Sequence, residues 1–410
     1  MGSYRLRCLE CGYVLGENVK VCGNHMGLLR AEYSSKQIML SDENSVFRFC
    51  DWLPTDRTLP TDAAPIAFRN EKMNKDLEIG DVWIGFTGYY PEREAFVRSC
   101  SFKEMEALPT LAMIGTGVKM VVASAGNTGR AFAHVSNEFG IPGVVVVPEM
   151  SKDRVWVPED KGMTKMIAVK GDYADAISVA ERISEKEGYI AEGGARNIAR
   201  RDGMGTVMLE SVMSMERLPD RYFQAIGSGT GAISAWEASL RLIGDGRFGS
   251  KLPELHLSQN SPFTPMKHAW DAGRRKLISE DLGDHSESIP KVYADVLTNR
   301  HPPYEIRGGV FDAMEACGGS MYSVTNEEAK EAGKIWLEYE SAELDPAAAV
   351  AFASLLKASE NSIFKGTTLL NITGAGYDRV KEDMDIFPIR IHSTVAKDIS
   401  REELEGVLNE

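Results

Sequence analysis

Between Val118 and Val147 the chain reads as strand, loop, helix and strand, and no other feature restricts its fold as much. Val118–Ala123 is an apolar run of strand length, ended by Ser124-Ala125-Gly126-Asn127-Thr128-Gly129. Thr128–Phe139 follows with helical spacing, and Val144–Val147 forms a second apolar run after Gly140 and Pro142. Two strands joined through a helix pair in parallel, because a parallel pair needs a long crossover whereas an antiparallel pair closes with a tight turn.

The alternation continues. Met166–Val169 reads as strand, and Tyr173–Lys186 as a helix with Ala174, Ile177, Ala180 and Ile183 on one face. Tyr189–Ala191, Tyr222–Ile226, Leu255–Leu257 and Thr368–Ile372 are further strands. Thr206–Met215, Ala232–Leu242 and Ala347–Leu356 are further helices, and Thr325 with Glu328 predicts a capping box. A helix over Leu108–Ile114 requires Pro109 in its first turn. Residues 33–98 give few signals, 262–303 read as surface loops with short helices, and the charged segment from Lys397 reads as a solvated helix. The pattern is that of an α/β protein with parallel sheets. At 410 residues it exceeds one compact core, so two or more lobes are expected.

A net charge of -14 argues against a nucleic-acid partner, since phosphate contacts need clustered Lys and Arg. No apolar stretch approaches the ~20 residues needed to span a bilayer, and the amino terminus lacks a signal-peptide core. The expectation is a soluble cytoplasmic protein without a membrane partner.

Three of the six cysteines cluster near the start. Cys8-x-x-Cys11 and Cys22-x-x-His25 offer two pairs of ligands, each spaced to grip one tetrahedral ion from a tight turn. Thiolates with an imidazole suit zinc, and four protein ligands would close the site, so the pattern implies structural metal. The competing reading is a set of reduced thiols.

Four further pieces can carry chemistry. The strand before Gly227-Ser228-Gly229-Thr230-Gly231 opens a helix, so the loop presents backbone N–H groups to an anion. It is neither a full Gly-x-Gly-x-x-Gly nor a nucleotide P-loop, and a tight turn is the alternative. Ser124–Gly129 has the same strand-to-helix setting and suits a carboxylate, with Asn127 as donor and acceptor. An Asn-Thr-Gly turn would look the same. Lys103 follows Phe102 and precedes Leu108, Leu111 and Ile114, a setting that would bury it and make its amine nucleophilic. Glu104 and Glu106 would explain it equally well as salt-bridge partners. Thr373 ends a strand before Gly374, where its hydroxyl can meet a pyridine nitrogen or cap a turn.

Taken in order, these pieces resemble the fold type II, tryptophan synthase β-like family of pyridoxal phosphate enzymes, and within it the threonine synthase group. The resemblance covers Cys8–Leu29, Ser101–Lys103, Ser124–Gly129, Asn197–Thr206, Gly227–Gly231, Glu343–Ala349 and Thr373-Gly374. It implies pyridoxal 5'-phosphate linked to Lys103, its ring hydroxyl on Asn127, its phosphate on Gly227–Gly231 and its ring nitrogen facing Thr373. A structural zinc at the start would also fit. It implies a zinc-ribbon-like segment over 1–32 and a large cofactor domain from 33–98 and 215–410. A smaller domain over 99–214 would carry the lysine, and the whole would form a homo-oligomer.

The chain departs from that group where Met105 and Gly205 stand in place of its Arg and Lys. These departures resemble the cysteate-forming branch, which takes O-phosphoserine and sulfite to cysteate and phosphate. Candidate substrate residues are Ser124, Ala125, Gly126, Thr128, Arg130, Arg196, Asn197 and Arg200. The alternatives are threonine synthesis from phosphohomoserine, cysteine synthesis with sulfide, and a non-catalytic zinc-ribbon interaction protein.

Overall fold

The strand Gly143–Pro148 is buried along its whole length, and its four consecutive valines leave neither face polar. A strand with that pattern must lie inside a sheet covered on both sides. In the computed structural model, which describes residues 3–409 apart from 18, 125 and 361–364, it does. It pairs in parallel with Lys119–Ala123 on one side and Thr164–Lys170 on the other. Tyr189–Ala191 and Ile391–Ala396 complete a five-stranded parallel sheet.

A second sheet of six strands runs in the order 319–324, 254–260, 221–225, 367–372, 81–86 and 66–68, antiparallel only at the last pair. Its faces carry two cores, one built around Trp236, Leu255 and Tyr304 and the other around Phe86, Trp336 and Phe352. A third, antiparallel sheet of three short strands (14–15, 4–8 and 29–33) forms the amino-terminal segment. It is docked on the larger unit: the buried Arg201 guanidinium donates to the Leu29 carbonyl, and Arg30 pairs with Glu237 at 3.2 Å.

Two expectations change. The segment 33–98, which gives few signals in sequence, supplies Asp81–Phe86, fifth of the six strands and paired with Thr367–Ile372. The carboxyl-terminal region does not stay with the larger sheet, because Ile391–Ala396 joins the smaller one. The terminal helix, Arg401–Asn409, buries Leu404 and Leu408 against that sheet rather than being solvated all round.

The helix expected over Leu108–Ile114 starts earlier, at Lys103, so Pro109 lies inside it. Proline has no N–H to give to the carbonyl four residues back. That carbonyl, of Met105, is met by Gly203 of the helix Ile198–Met215: a Cβ on Gly203 would lie 2.1 Å from it and 2.6 Å from Pro109 Cγ. The two helices approach closely at this point because Gly203 carries no side chain there. Gly203→Ala is expected to lower unfolding free energy by at least the about 1–3 kcal/mol typical of overpacking, read from urea denaturation.

Candidate active site

Lys103 is the first residue of its helix, and its position is set from both sides. The Phe102 N–H donates to the Thr373 carbonyl at 3.0 Å, which ties the lysine to the end of the strand Thr367–Ile372. Glu104, buried, accepts the Ser99 N–H at 2.7 Å. The same carboxylate faces His134 Nε2 at 3.6 Å, and Glu138 faces it at 3.1 Å. Burial disfavours a charged imidazole, but the two carboxylates outweigh it and raise the His134 pKa to about 9.

Phe102 also reaches the glycine loop. The loop joins the strand Arg221–Ala225 to the helix Thr230–Asp245, whose first N–H groups have no partner within the helix. A Cβ on Gly231 would lie 2.4 Å from Gln224 Nε2 and 2.9 Å from Phe102 Cζ. Gly229 has φ +78, and its Cβ would strike Val310 at 2.4 Å. Ser228 and Thr230 share a hydroxyl hydrogen bond at 2.9 Å. Side chains are thus excluded where a phosphate would need bare backbone, so the residues present fit a phosphate-bearing cofactor.

The Asn127 side chain sits at the start of the helix Asn127–Phe139. Its Oδ1 accepts from Arg130 at 2.8 Å and from Tyr377 at 3.2 Å, and its Nδ2 lies 3.4 Å from Asp345 Oδ2. Arg130 is further held by the Ser99 carbonyl and by the Tyr377 hydroxyl, whose single proton is shared between Asn127 Oδ1 and Asp345 Oδ2, the latter at 3.1 Å. Asp345 returns to the same place, its N–H donating to the Gly374 carbonyl at 2.9 Å. Val296 bridges the two loops, with Cγ1 3.2 Å from a Cβ on Gly126 and its carbonyl 2.8 Å from a Cβ on Gly227. Lys103, Thr373, the glycine loop and Asn127 are therefore joined by a chain of short contacts. Thr373 is 8% exposed, and no hydrogen bond engages its hydroxyl among the described residues.

The remaining candidates separate. Ser124 Oγ accepts the Gly126 N–H at 3.2 Å, Thr128 stands in the first turn beside Asn127, and Ala125 lies outside the described residues. Asn197 is spent as a helix cap, accepting the Arg200 N–H at 3.2 Å and donating to Thr110. Arg196 donates to the Met26 carbonyl of the amino-terminal segment. Arg200 pairs with Glu106 at 3.1 Å and Glu192 at 2.9 Å. Each of the three candidate arginines thus already has a protein partner. Sequence reading gave no role to Asp345, Tyr377 or Glu192, of which Asp345 lies within the resembling stretch Glu343–Ala349; Glu106 was visible only as a competitor for Lys103.

The nitrogen and sulfur atoms of Cys8, Cys11, Cys22 and His25 all lie within 4.8 Å of one another. The Cys11 and Cys22 sulfurs are 3.7 Å apart, about the separation that ~2.3 Å bonds to a tetrahedral zinc require. His25 Nδ1 is buried with no partner. The donor set fits a closed structural ion.

Two outcomes are expected. Full-length protein should hold one equivalent of zinc, released on thiol modification and absent from Cys11→Ser, as metal analysis would show. Because His134 titrates higher in the folded protein than in the unfolded chain, its contribution is complete below about pH 6.5 and is lost as pH rises through about 9. His134→Gln should therefore destabilise more at pH 6 than at pH 9.5 in urea titrations.

Residues 84–374 match the family model described as pyridoxal-phosphate dependent enzyme. A protein of Methanocorpusculum labreanum named cysteate synthase is 53% identical, with 96% of this chain and 98% of that one aligned. Another of the same name, from Methanosarcina barkeri, is 48% identical over 99% of this chain and all of its own length. Among solved structures, maize serine racemase superposes with a TM-score of 0.58 at 13% identity, covering 78% of this chain and 91% of that one. Threonine deaminase isoform 2 of Solanum lycopersicum gives 0.58 at 17%, covering 78% and 87%. At those identities the two structures speak for the fold alone, which is that of fold type II pyridoxal phosphate enzymes. By its sequence relatives and the matched family model, the chain belongs to the cysteate synthase family of pyridoxal-phosphate dependent enzymes.

Proposed function

We propose that this chain makes L-cysteate by β-replacement, exchanging the phosphate of O-phospho-L-serine for sulfite. The observation that carries the reading is Phe102, which touches the bare-backbone loop at Gly231 while its own N–H is fixed by Thr373, so that Lys103 is held between the two. Pyridoxal phosphate, when bound, supplies the aldehyde that captures the substrate amine and an electron sink for the reacting carbon.

The chain's own residues do the rest. Backbone N–H groups of Gly227–Gly231 hold the cofactor phosphate at the amino end of a helix. Asn127 Nδ2 is the donor left for the ring hydroxyl, since its Oδ1 already accepts from Arg130 and Tyr377. The Thr373 hydroxyl, which no hydrogen bond engages among the described residues, would be a neutral partner for the cofactor's ring nitrogen. A neutral partner there leaves the nitrogen unprotonated, which favours elimination and replacement over transamination. Ser124–Gly129 receives the substrate carboxylate. The Lys103 amine removes the proton on the substrate α-carbon, phosphate leaves from the β-carbon, sulfur bonds to that carbon, and Lys103 returns the proton.

Burial, foremost, and the Arg200 guanidinium hold the Lys103 pKa below its ordinary value, against the pull of Glu106, which suits an amine acting as base. Met105 lies in the apolar core, and Gly205 packs against Ala238 and Ser234 where two helices cross. Neither place offers the cation that the threonine synthase motif carries there. The reading includes a cytoplasmic enzyme working as a homo-oligomer, by analogy with its fold type.

Incubation with phosphoserine and sulfite should yield cysteate and phosphate in equal amounts, read by mass spectrometry and phosphate assay. Threonine from phosphohomoserine, cysteine formed only with sulfide, or no turnover at all would each reject the reading. Lys103→Ala should lose at least about 100-fold in rate and the visible absorbance of the bound cofactor.

A further inference from the structure

Beside Lys103 lies a buried charge network that the scheme above leaves without a task. Glu106, one turn further along the lysine helix, has no exposure at all. Its Oε2 is 3.4 Å from Lys103 Nζ and 3.1 Å from Arg200 Nε, and its Oε1 is buried with no hydrogen-bond partner. Lys103 keeps 21% of its side-chain exposure against 9% for Arg200, so it is the most exposed member of the trio. Arg200 is anchored at its other end by Glu192, 2.9 Å from Nη1.

A carboxylate taken wholly out of water costs several kcal/mol unless paired. The helix crossing does not require it, because Gly203 and Pro109 make that contact without charge. Two cations share one oxygen of Glu106 while the other oxygen stays unused. An arrangement of this kind stabilises a positive charge that comes and goes at Nζ, and Arg200 keeps the carboxylate in place when Nζ is elsewhere.

We propose that Glu106, clamped by Arg200, is the positioning residue for Lys103, seating its amine and holding it as an ammonium between removal and return of the substrate proton. The step balances: the α C–H bond breaks, its electron pair stays on carbon, and the proton makes –NH2 into –NH3+ facing Glu106. The return breaks that N–H bond and restores C–H. The inference rests on Lys103 being the cofactor-linked lysine.

The charged and titratable groups around the amine are Glu106 on its own helix, Arg200 from the helix Ile198–Met215 and Glu192 after the strand Tyr189–Ala191. Tyr173 stands beyond them, close enough to act on Arg200. Glu106 favours the protonated nitrogen and Arg200 disfavours it, so the two removals must act in opposite directions.

The test uses holoenzyme. Borohydride reduction and peptide mapping of the unmodified protein first report whether residue 103 carries the cofactor; a label elsewhere sinks the reading of Lys103 itself. With residue 103 labelled, visible absorbance is titrated against pH. Glu106→Gln should move the midpoint down by about one pH unit or more and Arg200→Gln should move it up. Charge-preserving Glu106→Asp and Arg200→Lys should keep it near the original value, and Glu106→Asp should also recover most of kcat. Should a glutamine variant not fold, the conservative one at the same position is compared with the unmodified protein for the same midpoint and for the ratio of kcat to KM effects. Unchanged midpoints in both glutamine variants, shifts in the same direction, or a conservative variant behaving like its glutamine counterpart would overturn the proposal.

Discussion

The contact between Phe102 and the first turn of the helix Thr230–Asp245 is the point on which the site depends. One ring closes the space that a side chain at position 231 would need, and one N–H binds the end of the strand Thr367–Ile372. Lys103 follows immediately. The lysine helix packs in one core with Met120 and Val122 of the five-stranded sheet, and the glycine loop follows a strand of the six-stranded one, so this contact fixes the distance between Lys103 and that loop. Such a distance must be held closely, because small misplacements of a reacting group cost large factors in rate.

Around that contact the structure keeps charge in closed groups. Arg130 is enclosed by Asn127, Tyr377 and the Ser99 carbonyl, and Arg200 by Glu106 and Glu192. Burying a cation with its partners avoids the penalty of an unpaired ion and fixes the geometry of each neighbour. Arg201, next to Arg200 in sequence, holds Glu237 and the Leu29 carbonyl. Two adjacent residues thus serve the cleft and the seam with the amino-terminal segment.

Legibility from sequence followed burial. A strand covered on both faces, such as Val144–Val147, announces itself as an unbroken apolar run. The strand Asp81–Phe86 did not, because Asp81 and Gly85 interrupt its apolar run. The strand Ile391–Ala396 was hidden for the opposite reason: it is an edge, largely exposed, and reads as polar. The glycine loop and the loop before Asn127 could be placed between a strand and a helix, as the structure has them, because glycine-rich joints punctuate apolar runs. The contacts of Asp345 and Tyr377 could not be foreseen, since any acid and any aromatic in those places would look alike in sequence. The arginines were visible, yet only coordinates reveal which carboxylate each already holds.

The origin of the edge strand in the smaller sheet bears on how the molecule is made. Its partner, Thr164–Lys170, leaves the ribosome more than two hundred residues ahead of Ile391–Ala396. At about 5–20 residues per second the open edge waits on the order of 10–40 s for its neighbour. During that wait an apolar strand, Met166–Val169, is available to any other nascent chain, which is the situation that favours misassembly. The sheet beside which Lys103 packs is thus the last to close, and slow translation would prolong its vulnerability.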